Sequence, residues 1–335
     1  MKLFTPGRLL VAGLALLAVV LALVVVPSSD YIFLPDPAHP VAPLVTVQGG
    51  HDPRHGGVYF VDVVVRKATL LERLFGGLHD GADLYPPQAV NPPGVNQRQR
   101  HVLDLQDMHR SQQIAAAVAL RAAGKKVVLR PVGARIGFVE QGLPAFGKLE
   151  PGDVVVAIDG RPVHTLHDVF VRTTAHHVGD VVAFTVRRGE RSLVERMKTI
   201  GVGRGVNRRP IVGVSLEPAL DIHLPIAVRI DAGNVGGPSA GVAFALEVME
   251  ELGRDVVHGH KVAATGEINP DGSIGPIGGI KQKTIGAREA HVDAFLVPAG
   301  DNAKEARKYA AGLRIIPVET FPQALHALAT LPQNG

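Results

Sequence analysis

The sequence predicts an α+β chain in three parts: an N-terminal apolar helix, a small β-rich module and an α/β domain. Three observations carry this. LLVAGLALLAVVLALVVV, Leu9–Val26, is 18 residues without a charge. RIGFVEQGLPAFGKLEPGDVVVAIDGRPVHTLHDVFV reads as strand, turn, strand, Asp-Gly turn and short helix. Two glycine clusters, GNVGGPSAG and GPIGG, each lead into a helical repeat of apolar residues.

Composition narrows the function. The chain has 335 residues, 46% of them hydrophobic and 20% charged, enough for two or three domains with cores of their own. With no cysteine, disulfides, thiolate nucleophiles and cysteine-ligated zinc are excluded. The net charge of +4 is scattered, with no basic stripe interleaved with aromatics, so no nucleic-acid partner is expected.

As a helix the apolar run would rise ~27 Å, close to the ~30 Å hydrocarbon core of a bilayer. Lys2 and Arg8 precede it, and Ser28, Ser29, Asp30 and Tyr31 follow. That asymmetry predicts a single-pass transmembrane anchor in the lipid bilayer, with the N-terminus cytoplasmic and the body outside. A cleaved signal peptide has a shorter apolar stretch and a small-x-small cleavage site. Here the run ends in VVVPSS, which favours an uncleaved anchor.

The next element, FLPDPAHPVAPL, reads as a Pro-rich extended linker. HGGVYFVDVVVRKATLL is expected as a strand. Residues 76–99, with prolines at 86, 87, 92 and 93, are expected to be irregular. MHRSQQIAAAVALRAAG, 108–124, predicts a helix stopping at Gly124.

The β-rich module, 127–203, resembles a bacterial PDZ domain. The LxPGDxIxxIDGxxV pattern appears as Leu149, Pro151, Gly152, Asp153, Val155, Ile158, Asp159, Gly160 and Val163. The resemblance implies binding of extended peptides as an added strand, with a C-terminal carboxylate held by backbone amides. By position that loop falls at Val132, Gly133, Ala134, Arg135 and Ile136. The Gly201, Gly203 and Gly205 run reads as a linker between modules.

LPIAVRI, 224–230, is expected as a strand, and apolar spacing from Val242 to Leu252 as a helix, which puts Ser239 at a helix N-terminus. Unpaired N–H groups and the positive end of the helix dipole gather there, suiting either a developing oxyanion or a plain serine cap. GPSAG also fits the G-x-S-x-G nucleophile elbow. However, Ile230 lies nine residues before Ser239 and Pro238 directly precedes it, so no strand runs into the serine turn. In the second cluster, Ile280, Lys283, Thr284 and Ala287 share one helical face, leaving Lys281, Ile285 and Arg288 on the other. A buried lysine shifts toward its neutral amine, which beside a serine can act as general base.

GGPSAG around Ser239, TGEI at Thr265–Ile268 and GPIGGIKQK ending at Lys283 closely resemble the Lon-type Ser–Lys peptidase domain in its membrane-anchored, PDZ-containing bacterial form, a resemblance that continues to the last helix. It implies Ser239 as nucleophile, Lys283 as base and Thr265 as the group holding the amine, with Gly236, Gly237 and Pro238 shaping the oxyanion turn. Lon proteases often carry Asp-Gly-Pro-Ser, whereas this chain reads Gly236-Gly237-Pro238-Ser239. No G-x-x-x-x-G-K-[ST] phosphate loop occurs, so activity without ATP and without cofactors is expected. The expected parts are a cytoplasmic stub and anchor (1–30), a linker with opening elements of the peptidase fold (31–126), the PDZ-like domain (127–203) and the catalytic domain (204–335). The PDZ-like module would then be inserted within the peptidase fold.

The expected function is a serine endopeptidase at the bacterial plasma membrane, cutting unfolded or secreted proteins outside the cytoplasm. Lon-type domains commonly form rings, which adds further copies of the chain as expected partners, although no residue pattern here marks a ring interface. Two alternatives are a membrane-tethered, non-catalytic PDZ adaptor and an elbow-type hydrolase using one of the late histidines. The fifteen histidines include His176-His177 and His258-Gly-His260, but no H-E-x-x-H, so no metal is expected. Asp231 is expected to terminate a strand and Glu267 to pair locally.

Overall fold

The computed structural model describes residues 6–51, 56–91, 97–203 and 208–331; Lys2, Pro92, Pro93 and Gly205 lie outside the described residues. Helix α1 (Pro6–Val25) forms over the apolar run and leaves Leu10, Leu14, Leu17, Leu21 and Val25 exposed. Among the described residues no helix is long and apolar enough to cross a membrane, so the expected transmembrane span is not supported.

The Pro-rich segment is more ordered than a linker. Pro27–Pro35 is a strand between Val63–Thr69 and Asp83–Tyr85 in a three-stranded sheet, flanked by α2 (Leu70–Leu74) and α3 (Pro87–Val90). The single strand expected near residue 60 breaks at Val61–Asp62. Gly57–Phe60 joins a different sheet from Val63–Thr69. Helix α4 (Gln97–Ala122) starts 11 residues before the predicted Met108. Only its second half, with Ala115, Val118 and Ala119 buried, shows the apolar spacing that the sequence displays.

The β-rich module is a sheet in the order Arg191–Lys198, Val181–Arg188, Val154–Ile158, Val128–Val139, Val214–His223. It has its own core, with Ile136, Val155, Ile158, Phe184 and Met197 buried against Val169 of α5 (Leu166–Thr174). The Leu-x-Pro-Gly-Asp turn is held by Asp153, whose buried carboxylate accepts from Arg188 Nε and Nη2 at 2.7 and 2.8 Å.

The chain returns along Val214–His223 to α6 (Gly241–Glu251), which packs against α4. The β-rich module therefore sits, in sequence, between two helices of one core. That core surrounds a sheet ordered His39–Pro40, Gly57–Phe60, Lys261–Ala264, Ala294–Pro298, Arg314–Val318, whose last four strands run parallel. Its inner strands are apolar on both faces, as helices on both sides require. Val262, Ala264 and Leu296 point toward α4, α6 and α9 (Phe321–Ala329). The alternate residues Ala263, Phe295 and Val297 meet α7 (Ile280–Glu289) and α8 (Asp301–Tyr309). α7 is buried more fully than a one-faced helix, since Ile285 is also inside.

Candidate active site

Open parallel sheets place ligand chemistry at the carboxyl ends of their strands, where helix N-termini and loops converge. Thr265 follows the central strand Lys261–Ala264 at that end and is fully buried. Its backbone N–H donates to the Leu296 carbonyl at 3.0 Å. Ser239 lies in a 3-10 turn, Pro238–Ala240, immediately before α6. Two donors pin this turn to the strand end: Gly266 N–H and Thr265 Oγ1 give hydrogen bonds to the Ser239 carbonyl at 2.8 and 3.1 Å.

Lys283 reaches the same point from the first turns of α7. Its side chain is buried, with Nζ 2.7 Å from Ser239 Oγ and 3.4 Å from Thr265 Oγ1. The structure thus brings together the three side chains named from sequence, 44 and 18 residues apart along the chain. Burial pushes the Lys283 amine down to about 8, opposed by the Asp62 carboxylate, which favours the charged form. A neutral amine at 2.7 Å accepts the serine proton, and the Thr265 oxygen accepts an N–H from that amine and so orients its lone pair. Asp62 follows the neighbouring strand Gly57–Phe60 and was not singled out from sequence. Adjacent to a strand expected to continue through it, it carried no signal.

The turn before Ser239 is held by α4. Gly237 N–H donates to the Asp104 carbonyl at 2.7 Å, and Ser111 Oγ donates to the Pro238 carbonyl at 2.9 Å. Pro238 has no N–H to offer. Of the three residues assigned to the oxyanion turn, Gly237 therefore has its amide engaged by α4 and Pro238 contributes shape alone. Gly236 packs its bare Cα against Asp104, whose Cβ lies 2.8 Å from where a Cβ would stand. Beside this turn a cavity of about 200 Å³ is lined by Asp107, Arg110, Ser111, Glu217, Pro238 and Glu267. Burial raises the Asp107 and Glu267 carboxyls, Arg135 opposing it at Asp107 and the Glu217 charge adding to it at Glu267. Glu267, expected to pair locally, instead faces this cavity. Asp231 is exposed, and its Oδ1 accepts from Gly233 N–H at 3.1 Å, as a strand-ending residue does.

The peptide loop expected at Val132–Ile136 is corrected by the structure. These residues lie inside the strand Val128–Val139, where Ala134 and Arg135 pair with Pro218 and Glu217 on one side and Val155 and Val154 on the other. Their backbone is committed to the sheet, and Ala134 and Ile136 are buried. A groove of about 340 Å³ lies elsewhere in the module, between α5, with Leu166 and Phe170, and the segment Ile211–Leu216. Val214–His223 is the edge strand there, and Gly213 before it takes φ 87°. Ile-Val-Gly-Val at 211–214 is the sequence signal for this loop, and it falls after the boundary drawn at 203.

The histidine pairs do not converge on a metal-like cluster. His176 Nε2 lies 3.0 Å from Asp159, and His260 Nδ1 lies 3.4 Å from Asp293. Asp36, His39 and Asp62 offer three ligand-type atoms within 4.8 Å of one another.

Two known families match parts of this chain. Residues 212–330 match the Lon protease (S16) C-terminal proteolytic domain, and residues 105–197 match the PDZ domain. The Lon protease of Rickettsia typhi is 33% identical over 133 residues, covering 38% of this chain and 17% of the relative. That of Azospirillum brasilense is 34% identical over 161 residues, covering 47% of this chain and 18% of the relative. The chain thus spans under a fifth of the length of these two relatives. Among solved structures, the PDZ domain of the SdrC-like protein from Listeria monocytogenes is similar at 22% identity over 25% of this chain and 87% of that chain, with a TM-score of 0.24. The chain thus carries one region similar to the Lon proteolytic domain and one similar to the PDZ domain.

Proposed function

We propose that the chain is a membrane-anchored endopeptidase that works without nucleotide on unfolded or secreted proteins outside the cytoplasm, using Ser239, Lys283 and Thr265. The observation that carries the catalytic reading is the 2.7 Å approach of the buried Lys283 amine to Ser239 Oγ. Ser239 Oγ attacks the scissile carbonyl carbon while its proton passes to Lys283 Nζ. The tetrahedral intermediate collapses, the C–N bond breaks, and the ammonium returns the proton to the departing amine. Water then attacks the acyl ester as Lys283 takes its proton, and when the ester C–O bond breaks the ammonium returns that proton to Ser239 Oγ, restoring both the hydroxyl and the neutral amine. Thr265 keeps the amine aimed throughout. The groove between α5 and Ile211–Leu216 receives the C-terminal residues of a peptide as a strand added to Val214–Leu216.

Nucleotide independence is tested by leaving ATP out of the cleavage assay below. Anchoring rests on the sequence alone, the charge-free run Leu9–Val26 preceded by Lys2 and Arg8. Extraction of membranes at alkaline pH tests it: anchored protein stays in the pellet, and release into the supernatant defeats the anchor.

The catalytic test uses full-length protein in detergent micelles with an unfolded, carboxymethylated protein and no nucleotide. Cleavage by the parent chain, lost in both Ser239→Ala and Lys283→Ala, is the expected result. Cleavage that survives in either variant removes the dyad.

A further inference from the structure

The N-terminal half of α4 touches both the nucleophile turn and the PDZ module. Toward the turn, the Asp104 carbonyl takes the Gly237 N–H at 2.7 Å and Ser111 Oγ donates to the Pro238 carbonyl. Toward the module, Arg135 Nη2 donates to Asp107 Oδ1 at 2.8 Å, and Arg110 donates to both the Glu217 carboxylate and the Pro218 carbonyl. Arg135 also reaches Glu217 at 3.3 Å. Gln106 lies against Gly152 of the Asp153 turn. These contacts explain why α4 extends well beyond its amphipathic half: residues 104–111 act as a bridge.

The two ends of that bridge are functionally unlike. Glu217 directly follows Leu216, the last groove residue on the edge strand. Pro218 has no N–H, and its carbonyl is taken by Arg110, so strand addition from the groove stops there. At the other end, Gly237 N–H is a backbone donor two residues from Ser239. Preorganised donors of that kind stabilise a tetrahedral oxyanion, and removing one slows acyl transfer by ~100-fold or more. With Asp104 occupying it, the donor is unavailable to a substrate.

We propose that α4 is an autoinhibitory latch: Asp104 holds the Gly237 amide away from the substrate until a peptide in the PDZ groove shifts the edge strand and, through Glu217 and Arg135, withdraws residues 104–110. The proposal rests on the Ser–Lys reading, because only then is the Gly237 amide an oxyanion donor. It adds a regulator to that reading, namely the extended C-terminal segment of a peptide. The driving contacts are charge-assisted hydrogen bonds between elements, so a displacement of the strand bearing Glu217 is transmitted to α4.

The test weakens the latch from the module side, without altering Ser239, Lys283 or Thr265. Full-length Arg135→Ala and Glu217→Ala are compared with the parent by hydrogen exchange over 233–241 and by cleavage of a carboxymethylated protein. Exchange at Gly237 is expected to rise about tenfold, the equivalent of one lost hydrogen bond, and cleavage is expected to rise with it. The conservative variant Arg135→Lys, which keeps a cation against Asp107 and Glu217, is expected to hold both near parent values; this also excludes simple misfolding as the cause. Unchanged Gly237 exchange in both alanine variants, or raised exchange with slower Ser239-dependent cleavage, overturns the latch. Absence of cleavage in the parent and every variant defeats the peptidase reading instead, and exchange alone then decides whether α4 couples the module to the turn.

Discussion

A base that must be neutral leaves its signature in the pH profile. With the Lys283 amine at about 8, ~10% of it is neutral at pH 7 and ~90% at pH 9. The rate constant kcat/KM should therefore rise about ninefold across that interval and then level off. An exposed lysine at 10.5 would give a ~100-fold rise between the same two points, with no bend before pH 10. The two cases differ by an order of magnitude in a single assay, the initial rate of cleavage of an unfolded protein in constant-ionic-strength buffers from pH 6 to 10. The perturbation that ties the bend to this site is Asp62→Asn. The Asp62 carboxylate favours the charged amine, so removing its charge should move the bend to lower pH and raise activity at pH 7. A profile climbing with unit slope through pH 10, or a bend moving to higher pH in Asp62→Asn, would refute the reasoning.

Three further outcomes follow from the same contacts. The depression of Lys283 from 10.5 to about 8 corresponds to a penalty of ~3 kcal/mol on the charged form in the folded state. Below about pH 8 both states are protonated and the full penalty applies; between about 8 and 10.5 the unfolded chain binds more protons, so this group makes stability rise with pH. Lys283→Met should therefore be inactive yet have a higher Tm than the parent at pH 7, and a lower Tm would contradict the burial argument. Thr265→Val removes the donor to the Ser239 carbonyl and the acceptor for the amine, so kcat should fall about tenfold, the equivalent of roughly one hydrogen bond, while Thr265→Ser retains most activity. Gly286 in α7 packs directly on the Asp36 backbone carbonyl. Gly286→Ala should destabilise by ~1–3 kcal/mol through overpacking, read as a shift in the denaturant midpoint.

Local patterns in the sequence were enough to identify the α7 face carrying Lys283, because helical spacing is written within eight residues. The same holds for the Asp153 turn, where Leu149, Pro151 and Gly152 stand in one short window. Three features were not legible. The break at Val61–Asp62 sends two halves of one apolar run into different sheets, and no local signal distinguishes this from a single strand. The first half of α4 shows little amphipathic spacing, because apart from Met108 its contacts are largely with the module and the serine turn rather than with a core. The groove was misplaced because the edge strand that completes the PDZ sheet, Val214–His223, lies beyond the glycine linker that looked like the module's end.

The glycine cluster around Ser239 shows why such features escape a linear reading. Two of its glycines are bare for reasons that lie more than a hundred residues upstream. A Cβ on Gly236 would stand 2.8 Å from the Asp104 Cβ, and one on Gly241 would stand 2.8 Å from Ser111 Oγ and 2.7 Å from Ile268 Cγ2. At both positions real Cβ atoms would force a backbone or buried side chain to move. α4 thus approaches the serine turn so closely that any side chain would push it away. That closeness lets a single carbonyl, that of Asp104, reach the Gly237 amide. Gly236→Ala should consequently separate α4 from the turn, raising hydrogen exchange at Gly237 while the Ser239–Lys283 pair, anchored from the opposite side by Thr265 and Gly266, stays in place. If exchange at Gly237 did not change in that variant, the small residues around Ser239 would be serving the turn's own geometry and not the approach of α4.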